Sequence, residues 1–141
     1  MDKESRTLAL IKPDAFNRNL TGKIIDAALN QGLTIVAAKT VNLTLDKAKS
    51  FYSIHADKPF FQSLISFMTS GTTVAIVFQG PDAVKTWRNT MGATNPKEAN
   101  QGTIRNQFGE SIEKNCTHGS DSTTNAEIEI SKFFSDQELS N

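Results

Sequence analysis

From Thr73 to Phe78 the chain reads Thr-Val-Ala-Ile-Val-Phe, an unbroken apolar run behind one β-branched polar residue. Its composition and length make it a strand, far too short to span a membrane. A second run, Leu8-Ala9-Leu10-Ile11, is stopped by Lys12-Pro13-Asp14 and reads as a buried strand ending in a turn. Between and after these runs the apolar residues recur at helical spacing. Ile24, Ile25, Ala28 and Leu29 share one helix face, with Gly32 as the stop. Thr44 can cap a helix carrying Leu45, Ala48, Phe51 and Tyr52. Pro59 can begin the next, with Phe60, Phe61, Leu64, Ile65 and Met68, ended by Gly71. Gly80-Pro81-Asp82 opens a helix through Ala83, Val84 and Trp87, closed near Gly92, and the last helix carries Ala126, Ile130, Phe133 and Phe134.

The mostly apolar odd positions from Ile35 to Leu43, broken by Lys39, predict a further, half-exposed strand. Ala93 to Asn115 is polar and glycine-bearing, with only Ile104, Phe108 and Ile112 large and apolar, and predicts a long loop leading to a short strand near Cys116. This βαββαβ-like order fits a ferredoxin-like α/β sandwich, an α+β fold with helices on one face of a four-stranded antiparallel sheet. No repeat or linker interrupts it, so one domain over 1–141 is expected.

Lys plus Arg and Asp plus Glu both number 15, which argues against binding nucleic acid by bulk charge. A single cysteine forms no internal disulfide and suits a reducing compartment. The polar start, Met1 to Arg6, does not resemble a signal peptide, so a cytoplasmic protein without membrane contact is expected.

The residue suited to chemistry is His118, in Asn115-Cys116-Thr117-His118-Gly119-Ser120-Asp121-Ser122. It has no large apolar neighbour to pack on. Gly119 permits backbone conformations closed to other residues and lets a ligand come close, Ser120 offers a hydroxyl to a leaving or attacking oxygen, and Asp121 or Ser122 can cap the following helix. His55, on the polar stretch Ser53 to Lys58, lacks such neighbours and reads as a surface or packing residue. A nucleophilic imidazole must be neutral, with one nitrogen held by an acceptor. Glu127 and Glu129 on the last helix are both candidates, and nothing in their spacing chooses between them. Lys12, Arg88 and Arg105 sit at element ends or in the long loop, where a cation can neutralise phosphoryl oxygens. Thr94 and Asn115 can add neutral hydrogen bonds. No Walker-type or kinase-type glycine loop is present, so a phosphate site must be built from side chains. Adjacent Phe60 and Phe61 cannot both face inward from one helix, leaving one free to stack on a base. Tyr52 is ambiguous between core and site. Cys116-x-His118 is only a fragment of a zinc motif.

Lys12-Pro13-Asp14-Ala15, Gly92-Ala93-Thr94-Asn95-Pro96, Gly102-Thr103-Ile104-Arg105 and Asn115-x-x-His118-Gly119-Ser120-Asp121-Ser122, in this order, resemble the nucleoside diphosphate kinase family along nearly the whole chain. The resemblance implies that His118 carries phosphate from a nucleoside triphosphate to a nucleoside diphosphate. It implies that Lys12, Arg88, Thr94, Arg105 and Asn115 bind phosphates and sugar, that Phe60 stacks on the base, that Tyr52 lies beside the site and that Glu129 holds the far nitrogen of His118. Mg2+ is expected on the nucleotide phosphates and not in a protein cage. The family forms tetramers and hexamers, and the short polar tail after Phe134 points toward a tetramer. The chain departs from the commoner pattern at Cys116-Thr117 and at Ser70-Gly71-Thr72. A competing reading is a ferredoxin-like RNA-binding module with no enzymatic role. Such modules need aromatics on their sheet, and here only Phe78 qualifies. An inactive assembly subunit is disfavoured by the joint presence of His118, Lys12, Arg88, Arg105 and Asn115.

Overall fold

A computed structural model describes residues 4–140. Its elements in order are β1 (Glu4–Ile11), α1 (Pro13–Asn17), α2 (Thr21–Asn30), β2 (Thr34–Val41), α3 (Leu45–Phe51), α4 (Phe61–Met68), β3 (Thr73–Pro81), α5 (Ala83–Met91), α6 (Ile104–Phe108), β4 (Thr117–Gly119), α7 (Thr123–Phe133) and α8 (Asp136–Leu139), with 3-10 turns at Ser53–His55 and Pro96–Glu98. The strands form one antiparallel sheet in the order β2-β3-β1-β4. This is the ferredoxin-like α+β arrangement.

Helices cover both faces of the sheet, not one. Ala9, Ile11, Val74, Ile76 and Phe78 face a core shared with α1, α2, α5 and α6. Leu8, Leu10, Ala75 and Val77 face the other, shared with α3, α4 and α7. The physical reason is legible in β1 and β3: their continuous apolar runs leave neither face suited to water. Burying each large aliphatic or aromatic side chain here contributes about 1.5–3 kcal/mol.

The edge strand β2 is half-exposed as expected, but a bulge between Ile35 and Ala37 breaks its alternation. Thr44 and Ser122 cap α3 and α7 through the N–H groups of Lys47 and Asn125. Gly32, at φ 91°, follows the end of α2. The expected loop from Ala93 to Asn115 contains α6, capped by Thr103, so Arg105 lies on a helix. The polar tail folds as α8 through a reciprocal cap between Ser135 and Glu138, a Ser-x-x-Glu signal present in the sequence.

For the site, the decisive pairing is β4 against the end of β1. Leu10 lies opposite His118 and Ile11 opposite Thr117. Lys12 follows directly, its N–H donating to the Cys116 carbonyl at 2.8 Å. Residues far apart in sequence therefore meet at one end of the sheet.

Candidate active site

His118 sits on β4 with its side chain 21 % exposed. Its Nε2 lies 3.0 Å from Oε1 of Glu129 on α7. In the neutral ring Nε2 therefore carries the proton and donates to the carboxylate, leaving the Nδ1 lone pair free. The Ser120 hydroxyl donates to the same oxygen at 2.8 Å and also faces the N–H of Leu8. Ser120 is wholly buried, so it supports Glu129 and does not offer its hydroxyl to an attacking or leaving oxygen. Phe51 and Tyr52 pack edge-on to the imidazole, with centroids 5.2 and 6.2 Å away. The Trp87 indole N–H donates to the His118 carbonyl at 3.1 Å. The ring is thus fixed from the helix side, the sheet side and the aromatic wall.

Gly119 has a different reason from the one expected. It does not adopt positive φ. A Cβ there would stand 2.5 Å from Met91 Cε and 2.7 Å from Trp87 Cδ1, so glycine is required for the close approach of α5.

Of the three cations, two are buried. Lys12, 7 % exposed, donates from Nζ to Asn115 Oδ1 at 2.9 Å. Burial and the nearby Arg105 charge bring its ammonium down to about 8. Arg105, 8 % exposed, donates to the carbonyls of Gly92 at 3.0 Å and Thr117 at 2.8 Å. Burial, then repulsion from Arg88, lowers its guanidinium to about 10. Neither residue is a solvated surface charge. Arg88 is exposed and lines a cavity of about 350 Å3 with Ser5, Asp82, Lys85, Asp121 and Ser122. The Asn115 amide donates to the carbonyl of Thr94 at 3.0 Å, which brings the exposed Thr94 to the same edge.

Tyr52 is buried, its hydroxyl has no hydrogen-bond partner, and burial with the Glu129 charge pushes its phenol upward. It is a wall of the site, with its ring against His118. Phe61 is in the core and Phe60 is 46 % exposed, so the free aromatic of the pair is Phe60. His55 stands with its ring 5.6 Å from Phe60, in a separate turn. Glu127 is exposed and lies on a different side of α7 from Glu129.

The sequence reading missed Asp14, Phe51 and the supporting role of Ser120. Asp14 Oδ2 accepts the Cys116 N–H at 3.1 Å. Asp14 belonged to a recognised motif, but no local pattern marks its carboxylate as reaching residue 116. The Cys116 thiol is pushed up to about 12 by burial and the Asp14 charge. It stays protonated at neutral pH. Among the described residues no three His, Cys, Asp or Glu side chains gather as a metal cage. Lys12, Arg105 and Asn115, at the same end of the sheet as His118, are cations and an amide, which suit an anion. β1 and β3 are buried on both faces, so the sheet offers no open platform for RNA bases. No helix among the described residues is long and apolar enough to cross a membrane.

Residues 5–139 match the family model described as nucleoside diphosphate kinase. A nucleoside diphosphate kinase of Azorhizobium caulinodans is 53 % identical over 134 residues, covering 95 % of this chain and 96 % of its own. One from Campylobacter curvus is 54 % identical over 134 residues, covering 95 % and 98 %. The crystal structure of the Aquifex aeolicus nucleoside diphosphate kinase superposes with a TM-score of 0.95 at 42 % identity, covering 98 % of this chain and all of that one. A halophilic nucleoside diphosphate kinase from Halobacterium salinarum in complex with CDP gives 0.94 at 40 % identity, covering 100 % and 93 %.

Proposed function

The chain belongs to the nucleoside diphosphate kinase family, and we propose that it transfers the γ-phosphate of a nucleoside triphosphate to a nucleoside diphosphate by a ping-pong route through His118. The observation that carries this reading is the 3.0 Å contact between His118 Nε2 and Glu129, which leaves the other ring nitrogen as a nucleophile at the cationic end of the sheet. Nδ1 attacks the γ-phosphorus of the triphosphate. The bond to the β–γ bridging oxygen breaks and the diphosphate leaves. The phosphohistidine then gives the same group to the terminal oxygen of a second diphosphate in the reverse geometry. As Nδ1 forms its bond to phosphorus, positive charge grows on the ring. The Glu129 carboxylate, itself held by Ser120, offsets it.

Lys12, Arg88 and Arg105 supply positive charge for the non-bridging oxygens, and Thr94 and Asn115 supply neutral hydrogen bonds. Mg2+ arrives as part of the substrate, on the nucleotide phosphates. Phe60 stacks on the base, a contact open to every base because each has a π-face. Tyr52 keeps the ring of His118 upright. The whole chain acts as one domain, in the cytoplasm and as a homo-oligomer.

Intact mass after incubation with ATP and Mg2+, without acceptor, tests the reading. One acid-labile, base-stable phosphate per chain is expected, removed by a nucleoside diphosphate and absent from His118→Ala. Phosphate persisting on that variant would overturn the assignment. His55→Ala should transfer normally.

A further inference from the structure

The backbone between Asn115 and His118 turns in a way that an L-residue resists. Cys116 has φ 78°. The N–H of Thr117 donates back to the Asn115 carbonyl at 2.9 Å, making a three-residue turn with Cys116 at its apex. A non-glycine residue stays in this region only when its surroundings over-determine it.

The segment after β1 does so. It engages both backbone groups of Cys116: the carbonyl accepts from the N–H of Lys12 at 2.8 Å, and the N–H donates to Oδ2 of Asp14 at 3.1 Å. The first bond uses backbone alone and survives any change at residue 12 except proline. The second depends on the Asp14 side chain. Asp14 is 9 % exposed, and its other oxygen, Oδ1, has no hydrogen-bond partner. Burial raises its pKa, against the opposing pull of the Lys12 charge and of the N–H groups of Cys116, Asp14 and Ala15. A carboxylate in such a place is costly, and packing gives no reason for it.

We infer that Asp14 is a positioning residue for phosphoryl transfer: by clamping the N–H of Cys116 it holds the strained turn that fixes Asn115, the acceptor for Lys12, relative to His118. The inference rests on the proposed role of His118. Asn115 opens the turn, and its side chain accepts from Lys12. His118 stands two residues after its apex, in register with Leu10. If the turn relaxed, the amide that orients Lys12 and the nucleophilic ring would shift relative to each other. Asp14 acts through the backbone of residue 116.

The test pairs Asp14 with the residue it restrains. Asp14→Ala should slow single-turnover phosphorylation by MgATP roughly 10- to 100-fold, the scale of a misplacement of about 1 Å, with little change in nucleotide affinity. Glycine at 116 has no Cβ to oppose positive φ and needs no clamp. Asp14→Ala combined with Cys116→Gly should therefore be faster than Asp14→Ala alone. Asp14→Asn keeps an oxygen acceptor and should lie between Asp14→Ala and the unmodified protein. Three results would each overturn the inference: Asp14→Ala at full speed, no recovery on adding Cys116→Gly, or Asp14→Asn as slow as Asp14→Ala, which would make charge and not the clamp decisive. If Asp14→Ala does not fold, Asp14→Asn with and without Cys116→Gly carries the same comparison. His118→Ala, run alongside, separates the two readings. Phosphate on that variant removes the role of His118, whereas an inert His118→Ala beside a fast Asp14→Ala removes only the clamp.

Discussion

The carboxylate of Glu129 and the imidazole of His118 meet at 3.0 Å across the gap between α7 and β4, while Glu127, two residues earlier on the same helix, is exposed to solvent. Residues two apart on a helix cannot serve the same ring. Glu129→Gln should slow phosphorylation about 10- to 100-fold, as for loss of an outer partner that fixes tautomer and orientation. Glu127→Gln should be near normal. Single-turnover rates on the pair check this, and a slower Glu127 variant would exchange the roles.

Lys12 ties activity to pH. Its ammonium is brought down to about 8, chiefly by burial, so the site loses that positive charge as pH rises through that value. kcat/KM should fall on the alkaline side of pH 8, and Lys12→Arg should move that limb upward in whatever activity it retains. Stability runs the other way. Between about 8 and the ordinary 10.5 the unfolded chain holds a proton that the folded one has released. The Lys12 contribution to stability therefore rises with pH across this window. Cys116, pushed up to about 12, contributes in the opposite sense above about pH 9, so the Lys12 part is read as the difference in denaturation midpoint between the unmodified protein and Lys12→Met. That difference and kcat/KM should slope in opposite senses.

Replacing Lys12 by Met removes a buried charge and keeps the apolar stem. Catalysis should lose roughly 3–4 kcal/mol of transition-state stabilisation, the scale of one preorganised electrostatic contact. The thermal midpoint at neutral pH should hold or rise, since the buried ammonium is itself costly. A variant that unfolds readily would show that the Asn115 contact is structural first.

Arg105 should behave differently, because its guanidinium bonds the carbonyls of Gly92 and Thr117. Arg105→Ala leaves both acceptors unmatched and should cost about 1–3 kcal/mol of stability in addition to activity. Urea denaturation of this variant beside Lys12→Met distinguishes a residue that holds β4 in place from one that acts only on phosphate. Equal midpoints would contradict the structural half of this reading.

Phe60 is the exposed member of its pair. Phe60→Ala should weaken nucleotide binding by about 1–3 kcal/mol, one base–aromatic stack, to a similar extent for purines and pyrimidines. Titration with ADP, GDP, CDP and UDP measures it, and a loss confined to one base would reveal readout of base edges.

Much was decided by the sequence alone. The apolar runs Leu8–Ile11 and Thr73–Phe78, the helical spacings between them and the caps at Thr44 and Ser122 encode local structure, because hydrophobic periodicity and capping act within a few residues. The motif around His118 singled out that residue by its type and its polar neighbours. Tertiary structure decided what local pattern cannot carry. It chose Glu129 over Glu127, since the phase of α7 against β4 comes from packing on β1. It moved Ser120 from the substrate to Glu129, gave Gly119 its reason in Trp87 and Met91, and covered the sheet on both faces. It buried Lys12 and Arg105, and with burial lowered their pKa values. It brought Asp14 to Cys116 across 102 residues of sequence. Contacts of that span follow from strand register, which is a property of the assembled sheet and not of any one segment.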